Sequence, residues 1–258
     1  MIRREWNYFL TALLFFTRMP VPKSYQYKET YSSPSSKYLT LIGWIVGGIA
    51  GVVFYTASLL FSIEIAIVLS MISTVFFTGA FHEDGFADVC DGFGGGWGKE
   101  SILKIMKDST VGAYALIGTS LLLLLKFNAL VALGEINNFV LVFGLINGHT
   151  SSRFMALFLM YTHSYVREDE SSKVKTVMER SFSLQVLSYS FLFVLLPFFL
   201  IQSAIFLVAF LISYLVQIAL AFYFNKQIGG YTGDCLGAVQ QVTEVVFYLS
   251  IIALWKYM

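Results

Sequence analysis

Residues 39–62 read LTLIGWIVGGIAGVVFYTASLLFS, a run without a single charged side chain. About 20 apolar residues in a helix are enough to cross the hydrocarbon core of a bilayer. The run is continuous, whereas a membrane barrel strand would be apolar only at every second position, so a spanning helix is predicted. The same test picks out six further stretches, at 64–81, 112–133, 138–161, 184–201, 203–224 and 236–255. The fold class that follows is all-α: a polytopic integral membrane helix bundle of about seven spanning helices. Some stretches are short or run together, so six or eight also satisfy the pattern. Ahead of them, Trp6 to Phe16 is apolar but too short to span. It ends in Thr17-Arg18-Met19-Pro20, not in a small-residue cleavage site, and reads as a retained amphipathic or re-entrant helix.

Composition points the same way. Of the 258 residues 57% are hydrophobic and only 13% charged, against about 25% charged in an ordinary soluble domain. Mean hydropathy is +0.72. Disorder, a repeat array and a nucleic-acid binder are excluded. The net charge of +1 provides no global field, so any charge-based function must be local. Cys90 and Cys235 are isolated thiols without metal or redox spacing and read as reduced bystanders. No linker or composition break divides the chain, so residues 1–258 read as one transmembrane domain.

The basic residues give an orientation. If residues 1–38 are placed on one side and the spans alternate, 14 of the 17 Lys and Arg fall on that side. They are Arg3, Arg4, Arg18, Lys23, Lys28, Lys37, Lys99, Lys104, Lys107, Arg167, Lys173, Lys175, Arg180 and Lys226. The opposite side holds only Lys256, and Lys126 and Arg153 lie within spans. The positive-inside rule then places the N-terminus and the three long loops in the cytoplasm. The opposite connections are short and nearly uncharged, so a functional site is expected at the cytoplasmic face of a multi-pass protein of the cytoplasmic (inner) membrane.

Four polar constellations interrupt this apolar chain. The first is Phe81-His82-Glu83-Asp84-Gly85-Phe86-Ala87-Asp88-Val89-Cys90-Asp91-Gly92. Asp84, Asp88 and Asp91, spaced i, i+4, i+7, fall within a sector of about 60° on one helix face. Carboxylates in one stripe repel one another unless a cation offsets them. Clustered oxygen donors suit hard divalent ions, usually shared with substrate phosphates. The competing reading is a solvated acidic loop. His82 falls on the far side of the same helix, as a substrate contact, a ligand or a neighbour of one. The glycines at 92 and 94–96 end the helix and either cap it or let backbone approach a phosphate.

The second constellation is Met106-Lys107-Asp108-Ser109-Thr110-Val111-Gly112. Asp108 and Ser109 are placed to cap the third span; alternatively Asp108 adds a carboxylate to the site, with Lys107 near phosphate. The third is Gly148-His149-Thr150-Ser151-Ser152-Arg153, where a mid-span Arg153 calls for a counter-ion or a phosphate. The fourth is Gly229-Gly230-Tyr231-Thr232-Gly233-Asp234-Cys235-Leu236-Gly237-Ala238, followed by Gln240, Gln241 and Glu244. Its glycines break the helix before Asp234, which is either an N-cap or a further ligand. Glu244 lies two turns into the span and needs a partner, for which Arg153 is a candidate. Arg18, closing the N-terminal helix, meets either headgroups or substrate phosphate.

Together with Phe16-Thr17-Arg18-Met19-Pro20-Val21-Pro22, these motifs resemble, in order and over nearly the whole chain, the cobalamin synthase family of adenosylcobinamide-GDP ribazoletransferases. The combination of H-x-D-G-x-x-D-x-x-D-G with G-G-x-T-G-D is highly specific. Glu83 departs from the pattern, which often has Leu there. The resemblance implies that a ribose hydroxyl of α-ribazole, or of α-ribazole 5′-phosphate, attacks the cobinamide-side phosphorus of adenosylcobinamide-GDP. GMP leaves, and adenosylcobalamin or its 5′-phosphate forms. It implies Mg²⁺ as cofactor, small-molecule substrates in a lipid setting, and no nucleic acid. On that basis the metal ligands are Asp84, Asp88, Asp91 and Asp234. Asp91, Asp108 and His82 are the catalytic candidates, and Arg18, Lys107, Arg153, Glu83 and Glu244 the substrate-binding ones. The oligomeric state is not legible. The family is similar in function to the CDP-alcohol phosphotransferases, but those carry an Arg where Asp88 follows Gly85-Phe86-Ala87 here. A cation transporter would need acids near mid-bilayer in several spans, and only Glu244 approaches that.

Overall fold

The computed structural model describes residues 2–167, 184–201 and 203–257. Lys173, Lys175 and Arg180, which contribute to the charge asymmetry, lie outside the described residues. Ten helices organise the described chain. They are α1 (Ile2–Phe16), α2 (Leu39–Ser58), α3 (Ile63–Thr78), α4 (Phe81–Gly95) and α5 (Lys99–Ile105), then α6 (Ala113–Ile136), α7 (Asn138–Thr162), α8 (Leu184–Ile201), α9 (Ala204–Ile228) and α10 (Gly233–Trp255). Short helical turns over residues 29–38 lead into α2. The β-structure among the described residues is one isolated parallel bridge, Tyr165 with Tyr231.

Each predicted stretch corresponds to a helix, but the helices do not meet the membrane alike. Five are long and apolar enough to cross on their own: the run 29–58 ending in α2, and α6, α8, α9 and α10. A sixth span results if α3 and α4, bent by 89° at their junction, are counted as one. With 16 residues, α3 is only about 24 Å long. The 25 residues of α7 would reach across, but they include Asn147, His149 and Arg153, all buried. Because α7 sits inside the bundle, protein rather than lipid surrounds it, and its polarity is met by neighbouring helices. The structure thus supports a polytopic membrane bundle in which, among the described residues, five helices, or six with the bent pair counted as one, are long and apolar enough to span.

Small residues set the central packing. A Cβ on Gly43 of α2 would lie 2.5 Å from the carbonyl oxygen of His149, and one on Gly47 2.7 Å from Cα of Ile146. The α2 and α7 backbones therefore touch, which is how helices associate where lipid supplies no hydrophobic drive. Outside this contact α6, α8 and α9 expose large apolar side chains, Leu121, Leu192, Phe199, Leu215 and Phe222 among them, as lipid-facing surfaces require.

Candidate active site

The site begins at the α3–α4 elbow. Gly79 (φ 68°) and Ala80 (φ 58°) are two successive left-handed residues. They turn the chain sharply, so that α4 starts inside the bundle with His82 buried. Arg18 is anchored here: its amide donates to the Phe77 carbonyl at 2.7 Å, and its guanidinium lies against the Cα of Gly79. From the elbow α4 carries Asp84, exposed, then Asp88 and Asp91, both half-buried, along one face.

A glycine contact brings α10 against this helix. A Cβ on Gly85 would sit 3.0 Å from the Cα and carbonyl oxygen of Asp234; one on Gly237 would sit 2.8 Å from the His82 carbonyl oxygen. Because neither residue has a side chain, Asp234 comes up to the α4 stripe. The Asp88 carboxylate then feels Asp234, Asp84 and Asp91 as nearby like charges and the Arg167 guanidinium as an opposite one. All four carboxylates expected to hold metal are thereby drawn into one region.

They are not equally free. Asp91 accepts the Gly112 amide at 2.6 Å and the Ala115 amide at 2.8 Å. It caps α6 from another helix, satisfying amides that a helix start leaves orphaned. The expectation that Asp108 and Ser109 cap this span is corrected: Gly112 is the N-cap residue. Asp108 instead accepts the Thr110 amide at 2.9 Å and its hydroxyl at 2.7 Å. These two donors from Thr110 hold its carboxyl below the ordinary carboxylate range. Lys107 is exposed on the same connection. At α10 the N-cap is Thr232, not Asp234. Asp234 accepts from the Arg167 guanidinium at 2.7 Å, and the same Nη2 donates to the Met106 carbonyl at 3.1 Å. Arg167 had no place among the expected site residues. In sequence it is an ordinary loop cation, and only the fold brings it to Asp234.

Behind the stripe lies a fully buried polar network. Glu244 pairs with Lys126 Nζ at 2.6 Å and lies 3.1 Å from His149 Nδ1. It also accepts from Gln240 at 2.6 Å and from the Tyr248 hydroxyl at 3.0 Å. The expected direct Arg153–Glu244 pair does not form. Arg153 contacts the His149 ring and backbone instead, at 3.1 and 3.0 Å, and Lys126 supplies the charge. His149, one turn before Arg153 on the same helix, stands between Arg153 and Glu244: its Nδ1 lies 3.1 Å from Glu244 and 3.1 Å from the Arg153 guanidinium. Gln241 donates to Glu83 at 3.0 Å and to the Gln240 oxygen at 2.9 Å, so a chain of hydrogen bonds joins Glu244 to the residue preceding Asp84. Glu83, Arg153 and Glu244, expected at substrate, thus sit in or against this network. His82 faces it too, on the side of α4 away from the aspartates. Both its ring nitrogens, Glu83 Oε2 and Arg153 Nε are buried without a protein partner. Such groups ordinarily find one.

The donor chemistry of the stripe fits a hard divalent cation. It offers carboxylate oxygens only, in mutual repulsion, from two helices in contact. Among the described residues no three His, Cys, Asp or Glu side chains already stand at metal-holding distance. Mg²⁺ commonly needs only one or two protein carboxylates beside substrate phosphate oxygens, and Asp84 and Asp88 can supply two.

Fold and site together define a polytopic helical membrane protein with a carboxylate stripe opposed across a glycine contact. Residues 8–252 match the family model described as cobalamin-5-phosphate synthase, and the chain belongs to that family. Among similar curated proteins, an adenosylcobinamide-GDP ribazoletransferase of Shewanella frigidimarina is 44% identical, over 97% of this chain and 95% of its own. One of Leptospira interrogans is 43% identical over 99% and 98%, and one of Vibrio parahaemolyticus 38% identical over 99% and 95%. No solved structure matches the chain.

Proposed function

We propose that this chain carries out the reaction its relatives are named for, as an adenosylcobinamide-GDP ribazoletransferase. A ribose hydroxyl of α-ribazole, or of its 5′-phosphate, attacks the phosphorus on the cobinamide side of adenosylcobinamide-GDP. The bond to the GMP oxygen breaks, GMP leaves, and adenosylcobalamin or its 5′-phosphate forms as the last assembly step. The observation that carries the chemistry is the opposition of Asp84, Asp88 and Asp91 on α4 to Asp234 on α10 across the Gly85–Gly237 contact.

Phosphoryl transfer asks the protein mainly for positioning and charge neutralisation. Asp84 and Asp88, with Asp234 facing them, would hold Mg²⁺, which supplies charge neutralisation at the diphosphate. Arg18 at the elbow and Lys107 beside α5 are placed for other phosphate oxygens. Asp91 has both oxygens engaged by backbone amides, so its role is to fix the start of α6. Asp108 takes both Thr110 bonds on Oδ1 and keeps its other oxygen for the hydroxyl proton, as a weak base, because those bonds lower its affinity for a proton. The buried network of Lys126, Glu244, His149 and Arg153 holds α6, α7 and α10 together beneath the site and, through Gln241 and Glu83, steadies α4.

On this reading the protein lies in the cytoplasmic membrane as one catalytic unit of about seven spans, with the stripe toward the cytoplasm. The supporting observation is the concentration of Lys and Arg on the loops of that side. The deciding experiment is GMP release by the purified protein from adenosylcobinamide-GDP and α-ribazole, with and without Mg²⁺. Release that depends on both the acceptor and the metal is expected. Release without any divalent cation would overturn the metal reading, and no release in any condition would overturn the reaction.

A further inference from the structure

Arg167 is a cation of the protein paired with Asp234, the carboxylate that α10 brings to the α4 stripe. Its Nη2 lies 2.7 Å from Asp234 Oδ2 and 3.1 Å from the Met106 carbonyl oxygen. The side chains of Arg167 and Asp234 are 23% and 18% exposed, so the pair is neither freely solvated nor sealed. The backbone presents it deliberately. Val166 donates to Tyr231 at 3.0 Å and Tyr231 to Ser164 at 3.0 Å, which clips the segment before Arg167 onto the turn leading to Asp234. The opposite-sign neighbour of Asp88, among its like-charged neighbours Asp234, Asp84 and Asp91, is again this guanidinium.

Two cations cannot both sit closely on one carboxylate without repelling each other. A guanidinium is also the side chain whose fork matches phosphate oxygens in pairs. We propose that Arg167 is a positioning residue with two partners: it neutralises Asp234 while the site lacks divalent cation, and it turns to the substrate's diphosphate when it yields Asp234 to that cation. This rests on the reading of α4 and Asp234 as the cation-holding site. It makes metal and diphosphate cooperative, because Arg167 leaves Asp234 at lowest cost when a phosphate is there to receive it.

The test uses the full-length protein in detergent, with Mn²⁺ as probe. Free Mn²⁺ is measured by electron paramagnetic resonance, without substrate, for the wild type and for Arg167→Gln, Arg167→Lys and Asp84→Asn. Arg167→Gln should bind Mn²⁺ about three- to tenfold more tightly, because the competing charge is gone. In turnover the same variant should show a raised KM for adenosylcobinamide-GDP, with Arg167→Lys restoring part of it while binding Mn²⁺ much as the wild type does. Those shifts run in opposite directions, which general loosening of the fold would not produce. Unchanged or weaker Mn²⁺ binding by Arg167→Gln would overturn the competition, and an unchanged KM would overturn the hand-over to diphosphate. Should Arg167→Gln fail to fold, the proposal stands or falls on Arg167→Lys, whose KM must exceed the wild-type value. Asp84→Asn separates the two readings: if it binds Mn²⁺ as well as the wild type, the cation site itself is misassigned.

Discussion

The aspartates of α4 share a face and a charge but not an environment, and their substitution should therefore have different consequences. Asp84 is exposed and Asp88 half-buried, and neither has a helix start to hold. Asp84→Asn and Asp88→Asn should insert and purify normally yet lose turnover by at least about a hundredfold, as expected when charge that stabilises a transition state is removed. Asp91 caps α6 through two amides. Asp91→Ala should lower stability by about 1 kcal/mol, measurable as a shift in thermal unfolding in detergent, in addition to any effect on rate. Sequence spacing made the stripe legible because helical periodicity needs no tertiary information. It could not distinguish Asp91 from its neighbours, because the amides it serves lie 21 and 24 residues further along. Arg167 was illegible for the same reason: its partner is 67 residues away.

At the scale of elements, the α6–α7–α10 packing turns on one ion pair. Lys126 is 3% exposed and Glu244 fully buried. Removing one partner strands the other charge in the bundle. Lys126→Met should cost about 3–5 kcal/mol, whereas Lys126→Met combined with Glu244→Gln should recover most of that loss. Equal losses for the single and double variants in chemical unfolding would show that the pair is not coupled. The sequence indicated that Glu244 needed a partner, and the geometry chose Lys126 over Arg153. A lysine in a leucine run such as Leu121–Leu125 reads simply as a polar interruption, with nothing local to aim it at α10. The glycine contact of α4 with α10 was equally hidden. Gly85 and Gly237 read as parts of motifs, and only packing shows that a Cβ on either would push Asp234 away from Asp88. Gly85→Val should therefore reduce activity without altering any charged residue, which a turnover assay on folded protein checks.

For the whole molecule, the apolar runs were enough to fix the helical class, because lipid leaves a spanning chain no other way to satisfy its backbone. What length and hydropathy do not reveal is what surrounds each helix: α7 is buried and polar, and α3 is short and continues around an elbow into the site. The proposed orientation predicts that single cysteines at positions 23 and 99, in a chain free of Cys90 and Cys235, react with an impermeant thiol reagent only from the cytoplasmic side of oriented vesicles. A cysteine at position 256 should react only from the other side. The central claim, that the α4 stripe with Asp234 holds a divalent ion against the diphosphate, is tested most directly with adenosylcobinamide-GDP carrying sulfur in place of a non-bridging diphosphate oxygen. Mg²⁺ prefers oxygen and softer metals accept sulfur, so GMP release should collapse with Mg²⁺ and return with Cd²⁺ or Mn²⁺. Full turnover of the sulfur compound with Mg²⁺, or a loss that no softer metal relieves, would contradict it.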